Sequence, residues 1–247
     1  NGFIYYNINM KFILRRHLME KKFIPEVKSN LRHRMVHIPE SMYKASGITV
    51  LGKRIKTLVF TTDIAIINNT NGHAIMAVYP FTPTLSITNA IIMSSSLPVF
   101  AGVGGGITSG IRSVNMALQA EMLGAYGVIV NAPMKNETIV QMKKVLDIPI
   151  VATIVSAYDD IEGKINSGAD ILNVSGGKKT AFLVEEIRKK VGYEFPIIAT
   201  GGDNEQNVID TINAGANALS YTPPTSAEIF HEVMANYRQD MREKQDE

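Results

Sequence analysis

A two-phase repeat runs from about residue 72 to the end of the chain, and it limits the folds open to the sequence more than any other feature. One phase reads Gly72-His73, Gly124-Ala125, Gly168-Ala169 and Gly215-Ala216; seven residues after each glycine an apolar run stops, at Tyr79, Asn131, Ser175 and Thr222. The other reads Pro98-Val99-Phe100-Ala101, Pro149-Ile150-Val151-Ala152 and Pro196-Ile197-Ile198-Ala199, each the entrance to a short apolar run. The phases interleave, so the basic unit is one strand plus one helix and the visible pattern returns every second unit. A closed parallel barrel has this property, because alternate strands send their side chains into different interior layers.

Apolar and β-branched runs predict strands at Ile55–Thr62, Ala74–Tyr79, Val99–Val103, Gly127–Asn131, Ile150–Val155, Ile171–Ser175, Ile197–Thr200 and Ala218–Thr222. Helical stripes lie between them: Ile111, Val114, Ala117, Leu118 and Met122; Ile139, Met142, Val145 and Leu146; Phe182, Leu183, Ile187 and Val191; Val208, Ile209 and Ile212. A last helix, Ala227–Gln239, is expected behind a cap at Thr225 or Ser226, with Glu228 in its first turn. This alternation predicts an α/β protein, a (β/α)8 (TIM) barrel over residues 54–247. Ile64–Asn71 is too short for a full crossover helix, and the N-terminal chain is expected to fill that gap. Residues 19–53, broken by Pro25, Pro39 and Gly47, read as a short basic N-terminal extension of helical or turn segments.

A chain of 247 residues suits one such barrel. It has no cysteine, which excludes disulfides, thiol nucleophiles, zinc–cysteine sites and iron–sulfur clusters. No apolar run approaches the roughly 20 residues of a membrane span. The N-terminal stretch does not read as a signal peptide, since Lys11, Arg15 and Arg16 sit inside and after its apolar run and no small-residue cleavage site follows. A soluble, cytoplasmic protein is expected. The charge is uneven: twelve basic residues stand against three acidic ones up to Lys56, and thirteen against twenty beyond it. The basic leader is expected to dock on its own barrel or on another subunit of a homo-oligomer; nucleic acid is the alternative partner, and no membrane is expected. Arg15-Arg16 would be encoded by AGG-AGG, a bacterial ribosome-binding string, just upstream of Met19. Residues 1–18 therefore read as a translated leader outside the native protein, and the gene as bacterial.

Chemistry in such a barrel belongs at the C-terminal ends of the strands. Three glycine clusters stand there: Gly104-Gly105-Gly106, Gly176-Gly177 and Gly201-Gly202. Glycine allows positive φ and close approach to a ligand, and successive N–H groups ahead of a helix form an anion site. The same residues would also serve as plain strand-to-helix turns. Asp63, the one carboxylate directly ending a predicted strand, is the candidate general acid or base, with a helix cap as its structural alternative. Asp203 reads as a helix cap, and Asp159 and Asp160 as a helix start. Tyr79, Asn131, Asn173, Ser175, Thr200 and Tyr221 are placed to orient a polar ligand by hydrogen bonds.

Several chemistries are disfavoured. No lysine lies in a predicted strand, which argues against a Schiff-base aldolase. Ser175 has no neighbouring histidine to form a triad. His33 and His37 have metal-pair spacing but no third ligand, so no metal is expected. Ile107 occupies the last glycine position of a dinucleotide fingerprint, and no cofactor is expected.

Pro196 followed by Ile197-Ile198-Ala199-Thr200-Gly201-Gly202, together with Ala214-Gly215-Ala216-Asn217-Ala218-Leu219, resembles the phosphate-binding group of (β/α)8 barrels, which includes thiazole synthase-like and sugar-phosphate epimerase-like enzymes. The resemblance covers residues 95–240. It implies a ligand phosphate held by glycines after the seventh strand, here Gly201 and Gly202, and by a Gly-Ser or similar pair after the eighth. At that second place the chain has Ser220-Tyr221-Thr222-Pro223-Pro224; the prolines bring no N–H donors, leaving the hydroxyls of Thr222 and Thr225 as partial substitutes. Chains that look like this are sometimes called hydrolases. The resulting expectation is a metal-independent enzyme acting on a small anionic, phosphorylated metabolite, with isomerase, lyase and hydrolase all open. The alternative is a non-catalytic sensor that signals through its basic leader to RNA or protein.

Overall fold

The computed structural model of the chain describes residues 25–27, 29–30, 34–202 and 204–246. Residues 1–34 and 35–247 form separate units. The described residues of the first unit lie outside helices and strands. The expectations for residues 1–18, Met19, His33 and Asp203 fall outside the described residues.

The second unit opens with a 3-10 turn, Glu40–Lys44, and a hairpin of β1 (Ile48–Val50) and β2 (Lys53–Ile55). Leu51 and Gly52, both at positive φ, turn the hairpin. There follow β3 (Thr57–Phe60), α1 (Ile64–Ile67), β4 (Ala74–Ala77), α2 (Leu85–Ser94), β5 (Val99–Gly104), α3 (Ile111–Met122), β6 (Gly127–Val130) and α4 (Asn136–Lys143). The chain continues with β7 (Ile150–Ile154), α5 (Ile161–Asn166), β8 (Ile171–Val174), α6 (Thr180–Val191), β9 (Ile197–Thr200), α7 (Glu205–Asn213), β10 (Ala218–Tyr221) and α8 (Ser226–Asp246). Strands β3 to β10 are parallel and close in sequence order into one barrel, β10 pairing with β3. The (β/α)8 fold expected from the repeat is the fold observed.

Each phase of the repeat is a hydrogen-bonding device. After α3, α5 and α7 the glycines Gly124, Gly168 and Gly215 sit at φ of 96°, 111° and 109°. Their N–H groups donate to Glu121, Ile165 and Ile212, and those of Ala125, Ala169 and Ala216 to Ala120, Lys164 and Thr211. This is the Schellman ending of a helix, which requires a residue tolerant of positive φ. The next residue ties the helix end to the sheet: Tyr126, Asp170 and Asn217 donate to the carbonyls of Val99, Ile150 and Ile197. Asp170 and Asn217 add a side-chain acceptor for the N–H of Ile150 and Ile197, each at 2.9 Å. The prolines open the alternate strands, where a missing N–H costs nothing. The carbonyls of Pro98, Pro149 and Pro196 accept from Ile75, Val128 and Leu172 of the preceding strands.

The first member of the glycine series departs from the rest. Gly72 does not take positive φ, and His73 donates to Thr57 in the place that Tyr126, Asp170 and Asn217 fill. The phase there is one residue out, so Val78 rather than Tyr79 continues the inward row of Ala74 and Met76.

The one-turn α1 leaves strand faces that residues 36–44 cover. Val36 bridges Thr70, Ile38 N–H donates to Asn71 Oδ1 at 2.8 Å, and Tyr43 Oη donates to the Asn71 carbonyl at 2.9 Å. Ile38 and Met42 enter the same buried cluster as Val59, Ile66 and Ile67. The hairpin has a different task. Ile48, Val50 and Ile55 share a cluster with Leu58, Met76, Phe100, Ile129, Val151, Ile171, Ile198 and Ala218, the inward residues of the strands, and so close the N-terminal end of the barrel. Helix α8 runs past the expected Gln239, to Asp246. Thr225 is its cap: Thr225 Oγ1 accepts from Glu228 N–H, and Glu228 Oε2 accepts from Thr225 N–H, a capping box.

Candidate functional site

One step up each strand from the apolar layer, alternation brings the next inward positions to the C-terminal mouth. From β3 to β5 they are Phe60, Val78 and Gly102; from β6 to β10 they are Asn131, Thr153, Asn173, Thr200 and Ser220. Three of these eight positions are thus apolar or bare, and the other five form a crescent of amides and hydroxyls without a charge. Thr153 pairs with Asn173, and Thr200 with Ser220, across adjacent strands. Asn173 Nδ2 donates to Thr153 Oγ1 at 3.3 Å, and Thr153 Oγ1 donates to Asn131 Oδ1 at 3.4 Å. Thr153, Asn173 and Ser220 are each 8% exposed. Beside this crescent lies a cavity of about 220 Å³, bounded by Val78, Tyr79, Gly102, Ile107, Asn131 and Ala132 among others.

Of the residues expected at the site, Asn131, Asn173 and Thr200 come together in the crescent. Thr153 and Ser220 belong with them and were not singled out from sequence as ligand contacts; both lie two residues beyond an inward apolar residue, Val151 and Ala218, which was the signal available. Ser175 and Thr222 are exposed on the rim. Tyr79 lines the cavity, with its hydroxyl accepting from Thr84 N–H at 3.0 Å. Tyr221 lines a separate hollow with Glu40 and Glu205.

The glycine clusters are packed more tightly than an open anion cradle. Gly105 and Gly106 N–H donate to the Thr108 and Pro133 carbonyls, both at 2.8 Å. A Cβ on Gly105 would stand 2.6 Å from Asn131 Cβ, and one on Gly104 would collide with Ser113 Oγ. The loop after β5 therefore needs glycine in order to fold over Asn131. Gly176 N–H donates to Thr180 Oγ1 at 3.1 Å, and Gly201 N–H to the Ser220 carbonyl at 3.0 Å. A Cβ on Gly201 would run into Met42 Cε, from the N-terminal turn. The phosphate cradle implied at Gly201 is not reproduced there: its N–H is spent and its open face is filled. Gly177 and Gly202, at φ of 58° and 81°, remain exposed on the rim.

Asp63 caps α1. Its Oδ1 accepts from Ala65 N–H at 2.9 Å and Ile66 N–H at 3.4 Å, and its Oδ2 accepts from Ser226 N–H at 3.1 Å. Burial pulls its pKa upward, but the hydrogen bonds from Ser226, Ala65 and Ile66 outweigh that and hold it below the usual carboxylate value. Asp160 caps α5 through Gly163 N–H, and Asp159 ties down Val155 and Ser156 N–H. Among the described residues no three histidine, cysteine or acidic side chains converge as a metal site, and no helix is long and apolar enough to cross a membrane.

No family model and no curated protein matches the chain. Solved structures do match. A phosphonopyruvate hydrolase is 14% identical, with a TM-score of 0.57 over 80% of this chain and 85% of that one. A phosphoenolpyruvate phosphomutase from Streptomyces platensis subsp. rosaceus is 12% identical, with a TM-score of 0.57 over 77% and 83%. A 4-hydroxy-tetrahydrodipicolinate synthase from Methylacidiphilum fumariolicum SolV is 14% identical, with a TM-score of 0.53 over 67% of each chain. What the chain shares with these proteins at such identities is its fold, the closed (β/α)8 barrel.

Proposed function

We propose that the protein is a metal-independent enzyme acting on a small polar anion bound in the barrel mouth. The observation that carries this reading is the uncharged crescent of Asn131, Thr153, Asn173, Thr200 and Ser220 beside the cavity. Active sites of (β/α)8 enzymes lie at this end of the barrel. Amide and hydroxyl donors held by strands need no reorganisation to stabilise an anion or a developing oxyanion. Lys178 and Lys179, in the exposed turn after β8, would attract an anion toward the mouth without touching it.

The neighbours support the substrate class. Phosphonopyruvate hydrolase has been solved with oxalate and Mg2+, and the phosphomutase is named for a small phosphorylated acid. A molecule of that size fits the cavity. A magnesium ion does not fit the donors present, because it favours carboxylate oxygens and the inward residues of this mouth include no carboxylate. Asp63 serves best as a positioning residue in this reading. Its engaged oxygens and lowered pKa suit a cap that joins α1 to the start of α8, and make it a weak base.

The test is thermal stability against a panel of phosphorylated and carboxylated metabolites, with inorganic phosphate as control. A ligand at a hundred times its Kd adds about 2.7 kcal/mol. Stabilisation by one small anion, weakened by Thr153→Val, is the expected result, and that ligand is then assayed for isomerisation, elimination and hydrolysis. A flat response across the panel would overturn the reading.

A further inference from the structure

We propose that Asn173 selects the substrate by reading a hydroxyl group on it, so that the preferred ligand is a hydroxylated small acid. This inference rests on the barrel mouth being the substrate site. Asn173 Oδ1 is the one buried side-chain polar atom among the described residues that has no hydrogen-bond partner. The amide is 8% exposed, at the level where the apolar interior gives way to the mouth. Native proteins pair nearly all such groups, and one left unpaired bears its full desolvation cost.

The ladder explains what kind of partner is missing. Thr153 has a single hydroxyl proton, which it gives to Asn131 Oδ1, so it can only accept from Asn173. Asn173 must then present its nitrogen to Thr153 and its oxygen away from it. The oxygen requires a donor. A carboxylate, a phosphate dianion or a ketone offers only acceptors; a hydroxyl donates. Should both amides turn together, the ladder reverses and ends in a free N–H, and a hydroxyl answers that end too. The χ2 torsion of asparagine is broad, so a modest turn presents the enclosed oxygen to a ligand in the mouth. A site built around such a contact rejects analogues that lack the group, because they leave its buried polar atom unpaired.

The experiment uses the full chain and two matched pairs of probes: malate against succinate, and glycerol 3-phosphate against propyl phosphate. In each pair the second compound lacks the alcoholic hydroxyls of the first, one in malate and two in glycerol 3-phosphate. The wild type is expected to bind a hydroxylated member at least tenfold more tightly, about 1.4 kcal/mol. Asn173→Leu should erase the preference, lowering the affinity for the hydroxylated member at least tenfold more than that for the plain member. It should also raise the melting temperature of the ligand-free protein, because it removes an unpaired buried amide; a merely structural asparagine would lower it. Asn173→Ala should erase the preference as well, which guards against misfolding of the larger variant. Binding of both members of each pair with equal affinity would overturn this inference and leave the site reading intact. A preference that survives both substitutions would do the same, as would a lowered melting temperature in both. Failure of all four probes to bind would remove the site reading, and this inference with it.

Discussion

The two ends of the barrel treat polar groups in opposite ways. At the N-terminal end Arg188, only 5% exposed, spends all five of its N–H groups on acceptors: the carbonyls of Gly192, Phe195 and Gly215 and the side chain of Asn217. Asn217 in turn holds Ile197 N–H and reaches Ser46 Oγ, and Asp170 pairs with Lys143. The hairpin seals the floor beneath. At the mouth, the ladder hydrogen bonds are long and one amide oxygen has no partner at all. One end closes its hydrogen bonds within the protein, while the other leaves the buried Asn173 Oδ1 unpaired. Polar side chains at equal depth therefore need not share a role, and whether their hydrogen bonds close among themselves tells the two cases apart.

The largest expected effect lies at the closed end. Arg188→Met should cost about 3–5 kcal/mol in urea unfolding, because it leaves the carbonyls of Gly192, Phe195 and Gly215 without the guanidinium's N–H groups. Arg188→Lys should recover little of that loss, since an ammonium cannot reproduce the planar fork. Ile55→Ala, which hollows the seal between hairpin and barrel floor, should cost about 2–5 kcal/mol. Neither change should alter the ligand preference of the folded protein. A changed preference would break the contrast between the two ends.

The fold was legible because its punctuation is physical. Gly124, Gly168 and Gly215 mark helix endings that only a positive φ can make, and the prolines mark strand entrances that need no donor. The hairpin was not legible. Its strands are three residues each, and Lys53 and Arg54 made the segment look like part of a basic leader. The Leu51-Gly52 turn was the signal to weigh. Tyr79 reaches the cavity from the loop after β4 and not from the inward row, because Gly72 looks like the other glycines but takes a different backbone conformation. The site was half legible. Alternation from the apolar layer marks Asn131 and Asn173, and applied strictly it marks Thr153. A glycine-rich loop, by contrast, does not show in its sequence whether its N–H groups are free or already spent, as they are at Gly105, Gly176 and Gly201.

Acidity separates the two ends in a further way. Burial, and then the charge of Lys56, lowers the pKa of His73, whose Nδ1 accepts from Lys56 N–H at 3.2 Å near the barrel floor. A histidine whose folded pKa lies below its unfolded value favours folding while it is neutral. Its contribution is complete above about pH 6.5 and is lost as pH falls below that toward the folded value. The slope should stay under the roughly 1.4 kcal/mol per pH unit of one whole proton, because the ring is partly exposed and screened. Unfolding measured between pH 8 and pH 5 should show it, and His73→Asn, which keeps an acceptor, should flatten it. Asp63 acts in the same direction in a lower range: its pKa is lowered, so its contribution holds above the ordinary carboxylate value and is lost only in stronger acid. A stability curve without a bend near pH 6 would show that the floor does not depend on the neutral ring.

The smallest expected effect on stability is the most informative for function. Thr153→Val keeps the shape of the side chain and removes the middle of the ladder. At the closed end, deleting a shared partner of this kind would strand acceptors. Here the two bonds lost are 3.3 and 3.4 Å long, and Asn131 is only half-buried at the cavity, where water can replace its partner. The stability loss should be below about 1 kcal/mol. Ligand affinity should fall by more than that, because Asn131 and Asn173 would no longer be held in register for the molecule they bind. A large loss of stability with unchanged ligand affinity would make the crescent a structural network like that of Arg188, and the two ends of the barrel would then differ in tightness and not in purpose.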